Sequence, residues 1–208
     1  MMKENRQKGV CSMAELLYQG HGSFRMTGNN GAVLYLDPFA GSGYEKPADI
    51  VLVTHQHGDH NQISKATRAP GCRIIQNFDA LKGGEYRSFS VKGFQIEAVP
   101  AYNRNHRREE CVGFLVEADG VRCYFAGDTS ETAEMAGLRE RKIDYAFFPI
   151  DGVYNMDAAE ASRCAAAVGA RHSVPVHTCP GTLFSEDAAA EFRAEGKLVL
   201  HPGEEVRL

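Results

Sequence analysis

An apolar run, Ile50-Val51-Leu52-Val53, leads straight into Thr54-His55-Gln56-His57-Gly58-Asp59-His60. Nothing else in the chain constrains its fold so tightly. Four consecutive apolar residues, three of them β-branched, read as a strand buried on both faces. It is followed by three imidazoles and a carboxylate in the pattern H-x-H-x-D-H. Extended residues two apart point the same way, so His55 and His57 present two imidazoles to one point. Gly58 lets the backbone turn, and Asp59 and His60 then face a second point close by. Imidazole with carboxylate is a ligand set for zinc, iron or manganese.

Such a site needs more ligands, and they are sought at other strand ends. Asp128, in Phe125-Ala126-Gly127-Asp128-Thr129, and His177, in Val174-Pro175-Val176-His177-Thr178, both end strand-like runs. Alone, Asp128 would read as a helix cap and His177 as a core imidazole. With the cluster upstream, both become candidate ligands.

The remaining pattern frames these positions. Strands are expected at Glu15–Gln19, Ser23–Met26, Ala32–Leu36, Ile50–Thr54, Arg73–Gln76, Tyr86–Val91 and Phe94–Val99. Val112–Glu117 and Val121–Ala126 flank Ala118-Asp119-Gly120, a hairpin signal. Tyr145–Pro149, Ser173–His177 and Lys197–Leu200 complete the strands. Helices are expected at Gln62–Arg68, at Glu131–Arg141 capped by Ser130 or Thr129, at Ala158–Val168 between Asp157 and Gly169, and at Ser185–Glu195 closed by Gly196. Strands come first and then alternate with helices, in both halves. An α/β sandwich of four layers, built from two similar halves, satisfies that order.

At 208 residues the chain is read as one domain over 13–208, with 1–12 a flexible leader and Met13 an alternative start. A net charge of −4 gives no pull toward nucleic acid or anionic membrane. The first thirteen residues lack the apolar run of a secretory signal, so a soluble, cytoplasmic protein acting on a small molecule is expected. The six cysteines show no C-x-x-C pair and read as small buried hydrophobes. Cys179, two residues after His177, is the one to watch.

The linked motifs, from Leu36-Asp37-Pro38-Phe39 through His55–His60 and Ala126–Thr129 to Pro175–Thr178, resemble those of metallo-β-lactamase superfamily hydrolases. The resemblance implies an αββα sandwich with metals at one edge, between the halves. Carried over, His55 and His57 bind a first metal, Asp59, His60 and His177 a second, and Asp128 bridges both. Asp37 orients a ligand histidine. The chain departs from the family where a further histidine is usual: the region reads Val99-Pro100-Ala101-Tyr102-Asn103-Arg104-Asn105-His106, leaving His106 to supply it, with Asn103 as the backup. The implied cofactor is two divalent ions, zinc first, with manganese and iron as alternatives, or a single ion if the first site is incomplete.

The implied chemistry is hydrolysis of an ester, lactone or phosphodiester-type small molecule by a metal-bound hydroxide, with Asp59 and Asp128 beside it. There is no G-x-S-x-G elbow and no Walker loop. Diiron oxygen-reducing members carry glutamate where His57 stands, and the nucleic-acid-cleaving branch needs a larger insertion than this chain holds. Tyr102-Asn103, Asp151–Asp157 and His177–Phe184 are similar to the compact branch related to ascorbate-6-phosphate lactonases. In that branch His21, in Gly20-His21-Gly22-Ser23, falls near the metals, so His21, Tyr102 and Asn103 are candidate substrate or supporting residues. Arg104, Arg107 and Arg108 could hold an anionic substrate, but Glu109 and Glu110 follow at once and favour a self-neutralised loop. His172 and His201 read as structural or exposed. Two other readings stand beside the hydrolase: a mononuclear iron oxygenase acting on a sulfur compound, and a non-catalytic metal-binding module. The oligomeric state is not readable from the sequence.

Overall fold

The computed structural model describes residues 13–208, so the 1–12 leader and Cys11 lie outside the described residues. Its strands are β1 (Glu15–Gly20), β2 (Ser23–Thr27), β3 (Val33–Leu36), β4 (Ala48–Val53), β5 (Arg68–Gln76), a small hairpin of β6 (Leu81–Lys82) and β7 (Glu85–Tyr86), β8 (Ser88–Val91), β9 (Phe94–Pro100), β10 (Val112–Ala118), β11 (Val121–Phe125), β12 (Tyr145–Pro149), β13 (His172–Val176) and β14 (Glu204–Arg207). The helices are α1 (Asn77–Ala80), α2 (Ala158–Val168) and α3 (Glu186–Glu191), with 3-10 turns at Ile63–Lys65 and Ala133–Arg141.

Two six-stranded sheets face each other, in the orders β14-β1-β2-β3-β4-β5 and β13-β12-β11-β10-β9-β8. Each contains an antiparallel meander, β1-β2-β3 in one and β9-β10-β11 in the other. Each meander continues into two parallel strands, β4-β5 and β12-β13. Each gains an antiparallel flanking strand, β14 beside β1 and β8 beside β9. The two halves are therefore alike in topology, as the sequence order implied. The fold is an α/β sandwich.

The core between the sheets is made by the inward faces of both, including Leu16, Phe24, Leu52, Phe114, Phe125 and Phe147. Ile50–Val53 is fully buried, because β4 lies between β3 and β5 with both faces covered. On the outside, α2 and the Ala133–Arg141 turns bury Met135, Leu138, Ala161 and Phe192 against the second sheet. The outer layer over the first sheet is thinner, with Tyr44 and Ala66 covering Tyr35, Val51 and Val53.

Several elements differ from the sequence expectation. Only Ile63–Lys65 coils within Gln62–Arg68, because the backbone there is drawn into the sheet: Ala48 N donates to the Thr67 carbonyl at 2.8 Å, and β5 starts at Arg68. The segment Ala133–Arg141 is 3-10 and begins after Thr132, not at Thr129 or Ser130. Thr129 is already engaged with Tyr102, accepting from its N–H and donating to its carbonyl. The last helix stops at Glu191, since Phe192 turns into the core and Arg193 N donates to Ser162 Oγ. Lys197–Leu200 makes only a single bridge, Ser173 to Lys197. The true last strand is the polar Glu204–Arg207, which closes the first sheet against β1. No helix among the described residues is long and apolar enough to cross a membrane.

Candidate metal centre

The sheets present one common edge. Asp37 follows β3, Thr54–His60 follow β4, Asp128 lies just beyond β11, Asp151 beyond β12 and His177 directly after β13, while His21 sits in the β1–β2 turn. These are the carboxyl ends of strands in parallel pairs, where ligand sites of open α/β sheets lie. Two backbone bonds tie the edge together: Val112 N to the Thr54 carbonyl at 3.0 Å, and His177 N to the His21 carbonyl at 3.0 Å. His21, Asp37 and His177 all take positive φ, at 53°, 45° and 45°. Non-glycine residues held there cost roughly 1–3 kcal/mol each and collect at functional sites.

Asp128 is the hub. Its Oδ1 lies 3.4 Å from His60 Nε2, and its Oδ2 lies 3.4 Å from His106 Nε2, 3.6 Å from His177 Nε2 and 4.0 Å from His55 Nε2. The histidine and aspartate atoms form three overlapping groups, each within coordinating reach: His55, His57 and His106; His55, His60 and Asp128; and His21, Asp59, His60 and His177. The structure therefore brings together His55, His57, Asp59, His60, Asp128 and His177, and adds His106 and His21.

The opposite ring nitrogens are anchored. Asp37 accepts from Thr54 N at 2.7 Å, Thr54 Oγ1 at 2.6 Å and His60 Nδ1 at 2.8 Å. With its proton given to Asp37, Thr54 Oγ1 accepts from His55 Nδ1 at 3.0 Å. His177 Nδ1 lies 3.0 Å from Asp151 Oδ2, and His106 Nδ1 lies 3.0 Å from Asn103 Oδ1. Three imidazoles, His55, His60 and His106, thus have one nitrogen hydrogen-bonded, His177 has one beside a carboxylate, and all four aim the other at Asp128. Among the described residues, the Nε2 atoms of His55, His60 and His177 are buried with no hydrogen-bond partner, and His177 Nδ1 meets Asp151 at ion-pair distance without an aligned hydrogen bond. Leaving three such atoms unpaired would cost about 1–3 kcal/mol each, and a cation among them removes that cost. Aligned lone pairs, fixed tautomers and two carboxylates fit a metal centre.

Charge follows the same plan. Burial, helped by the nearby His60, pushes the His55 pKa down to about 2, which keeps that imidazole neutral. Burial opposes charge on His60 too, but Asp128 and Asp37 outweigh it and raise the pKa to about 9. Asp128 is also desolvated, yet His60, His177 and His55 hold its carboxyl well below the usual range. Asp59 is held low by its hydrogen bond with His21 Nε2, 3.2 Å from Oδ2.

Several sequence candidates take definite places. Asn103 is a support: its Oδ1 accepts from the backbone N–H of Asn105 and His106, shaping the loop that carries His106. The Tyr102 hydroxyl turns toward Glu134 at 3.1 Å, with the Arg108 guanidinium over its ring, and so faces away from the centre. The arginine loop is neutralised in part: Arg107 pairs with its neighbour Glu110, Arg108 pairs instead with Glu134, and Arg104 meets the Val153 carbonyl. His172 stacks on Tyr145, and His201 pairs with Glu186, both outside the centre. The five described cysteines are free thiols. Asp151 and Thr54 were missed as supporting residues. The available signal was that Asp151, like Asp128, stands just past a strand.

A beta-lactamase superfamily domain matches residues 15–177, most of the chain. The chain belongs to the metal-dependent hydrolases of the metallo-β-lactamase superfamily. A UPF0173 metal-dependent hydrolase of Thermus thermophilus is 30% identical, the alignment covering 94% of this chain and 100% of that one. Another from Thermococcus kodakarensis is 29% identical with the same coverage. A Parabacteroides distasonis crystal structure, described as a candidate metal-dependent hydrolase, superimposes with a TM-score of 0.72 at 30% identity, covering 88% of this chain and 90% of that one. The superfamily expected from the motifs is thereby borne out, while the finer likeness to lactonases gains no support from these relatives.

Proposed function

We propose that the protein is a dinuclear metal hydrolase acting on an ester, lactone or phosphodiester-type small molecule. The observation that carries this reading is the convergence of four imidazoles on Asp128, with the Nε2 atoms of His55, His60 and His177 left unpaired. His55, His57 and His106 would hold one ion, His60, His177 and Asp59 the other, and Asp128 would lie between them. The nitrogen-rich donor set favours zinc, with manganese or iron as alternatives.

A divalent ion held here lowers the pKa of water toward ~7 and polarises the group under attack. The chain's own residues set the geometry. Asp37 and Asp151 fix the tautomers of His60 and His177, and His21 holds one oxygen of Asp59. Asp59 is half-exposed, so it reaches the solvent side of the centre, whereas Asp128 is buried behind it. A cleft of about 400 Å³ opens beside His55, His57 and His106 and gives a substrate access. The position of His106 supports two ions over one, which weakens the motive for a mononuclear oxygenase.

The test is metal analysis of purified protein, followed by turnover. Two equivalents are expected; a single equivalent would overturn the dinuclear reading, and less than about a tenth of an equivalent, unrestored by added metal, would overturn the metal-dependent reading altogether. Turnover of phosphodiester, lactone or thioester probes, abolished in a folded Asp59→Ala variant, separates an enzyme from a metal-binding module.

A further inference from the structure

The cleft beside the first histidine group is built without free charge. Among the described residues its only charged side chains are Arg107 and Glu110, and they neutralise each other: Arg107 Nε donates to Glu110 Oε2 at 3.0 Å, and a second nitrogen reaches Oε1. The rest of the wall beyond the histidines is amide and apolar. Gln56 Nε2 donates to Asn77 Oδ1 at 2.8 Å, and Asn77 Nδ2 donates to the Glu110 carbonyl at 2.9 Å. The other cations of the loop lie outside the cleft wall: Arg108 pairs with Glu134, and Arg104 keeps its charge but points to the Val153 carbonyl.

The apolar groups nearby are conspicuous because they face water. Phe78, Val153, Tyr154 and Leu183 are four of the five exposed large hydrophobics among the described residues. None lines the cleft wall itself, but the backbone of each flanks the site. Phe78 follows Asn77 in the chain, the carbonyls of Val153 and Tyr154 bind Arg104 and Asn105, and the Leu183 carbonyl accepts from His21 N. The carboxylates at the centre, Asp37, Asp59, Asp128 and Asp151, would balance two divalent ions, so the loaded centre has no surplus positive charge to draw an anion in.

We infer that the substrate, beyond its reacting bond, is uncharged, with a polar part lying along the amide wall and apolar substituents against the exposed rim. This rests on the hydrolase reading above and gives it a substrate class. The Arg107–Glu110 pair is the specificity element. An extra carboxylate on the substrate would have to take Arg107 away from Glu110 and leave Glu110 facing a like charge.

The experiment uses the zinc-loaded full chain and two probe pairs, each sharing a reacting centre. The first is p-nitrophenyl octanoate against mono-p-nitrophenyl suberate, whose carboxylate is too distant to attack its own ester. The second is the p-nitrophenyl phosphodiesters of ethanol and of glycolate. In whichever pair is turned over, the uncharged-body member is expected to be preferred by about tenfold in kcat/KM, mostly through KM. Glu110→Gln frees Arg107 and should narrow that preference, and Arg107→Ala should widen it. Equal or better turnover of the carboxylate probes, or a preference unmoved by Glu110→Gln, overturns the inference alone. No turnover of any of the four, with lactone and thioester probes also inert, overturns the hydrolase reading itself.

Discussion

The two histidine groups that meet at Asp128 are built differently. His60 and His177 are buried, and each is backed by a carboxylate, Asp37 or Asp151. His177 and Asp37 themselves sit at strand ends, in left-handed backbone that the surrounding sheet enforces. The group of His55, His57 and His106 is looser. His57 is exposed, and His106 comes from the loop between β9 and β10, where a neutral amide, Asn103, backs it. A carboxylate partner raises the basicity of an imidazole more than a neutral amide oxygen does. The same fold thus makes one strongly preorganised position and one weaker position that opens onto the cleft. In the dinuclear reading proposed above, the buried side would anchor an ion, and the open side would be where substrate displaces solvent.

Removing what the two share should have the largest effect. Asp128→Ala takes a carboxylate from both groups and is expected to lower kcat/KM by more than the about 10–100-fold typical of an outer partner, with metal content falling at both positions. If metal content stayed at the wild-type level, the hub role would be wrong. Next come the two buried supports. Asp37→Asn and Asp151→Asn should each weaken one ion's affinity by about 10–100-fold, read by competition with a chromophoric chelator. Asp37→Asn should be the worse of the two, since three donors converge on Asp37.

Asn103→Ala sharpens the contrast from the other side. It should release the His106 loop and weaken only the more labile ion, leaving the tightly held one in place. Equal loss of both ions would mean that the groups are not separable. The smallest effect lies far from either group. Glu97 is held low mainly by its hydrogen bond with Arg141. A lowered carboxylate contributes stability above its unfolded pKa of about 4.3 and loses it as pH falls through the folded value. Glu97→Gln should therefore cost roughly 0.2–1 kcal/mol at neutral pH, less at high salt, and nothing at strongly acid pH. Urea melts at the two pH values check it, and metal affinity should not move.

The same contrast explains what was legible beforehand. β4 and its histidines stood out because burial on both faces demands an unbroken apolar run and because the H-x-H-x-D-H spacing converts directly into direction. Asp128 and His177 could be located because strand ends are marked by apolar runs. Loop geometry is another matter: nothing in the order Asn103–His106 states that the loop turns back so that His106 reaches His57. Asp151, before a glycine, looks like any turn residue until β12 places it against His177. β14 was hidden because an edge strand needs no apolar face, and Glu204–Arg207 has almost none. The helices over Gln62–Arg68 and Glu131–Arg141 were overestimated because local propensity yielded to sheet pairing in one and to the Thr129–Tyr102 contact in the other.

Metal release from the loaded protein into excess chelator, followed for wild type and His106→Ala, tests the unequal pair most directly. The wild type should release two equivalents in two phases, and His106→Ala should bind and release one equivalent at the wild type's slow rate. A wild type that holds a single equivalent, or a His106→Ala variant that still releases two in the same two phases, would contradict the account.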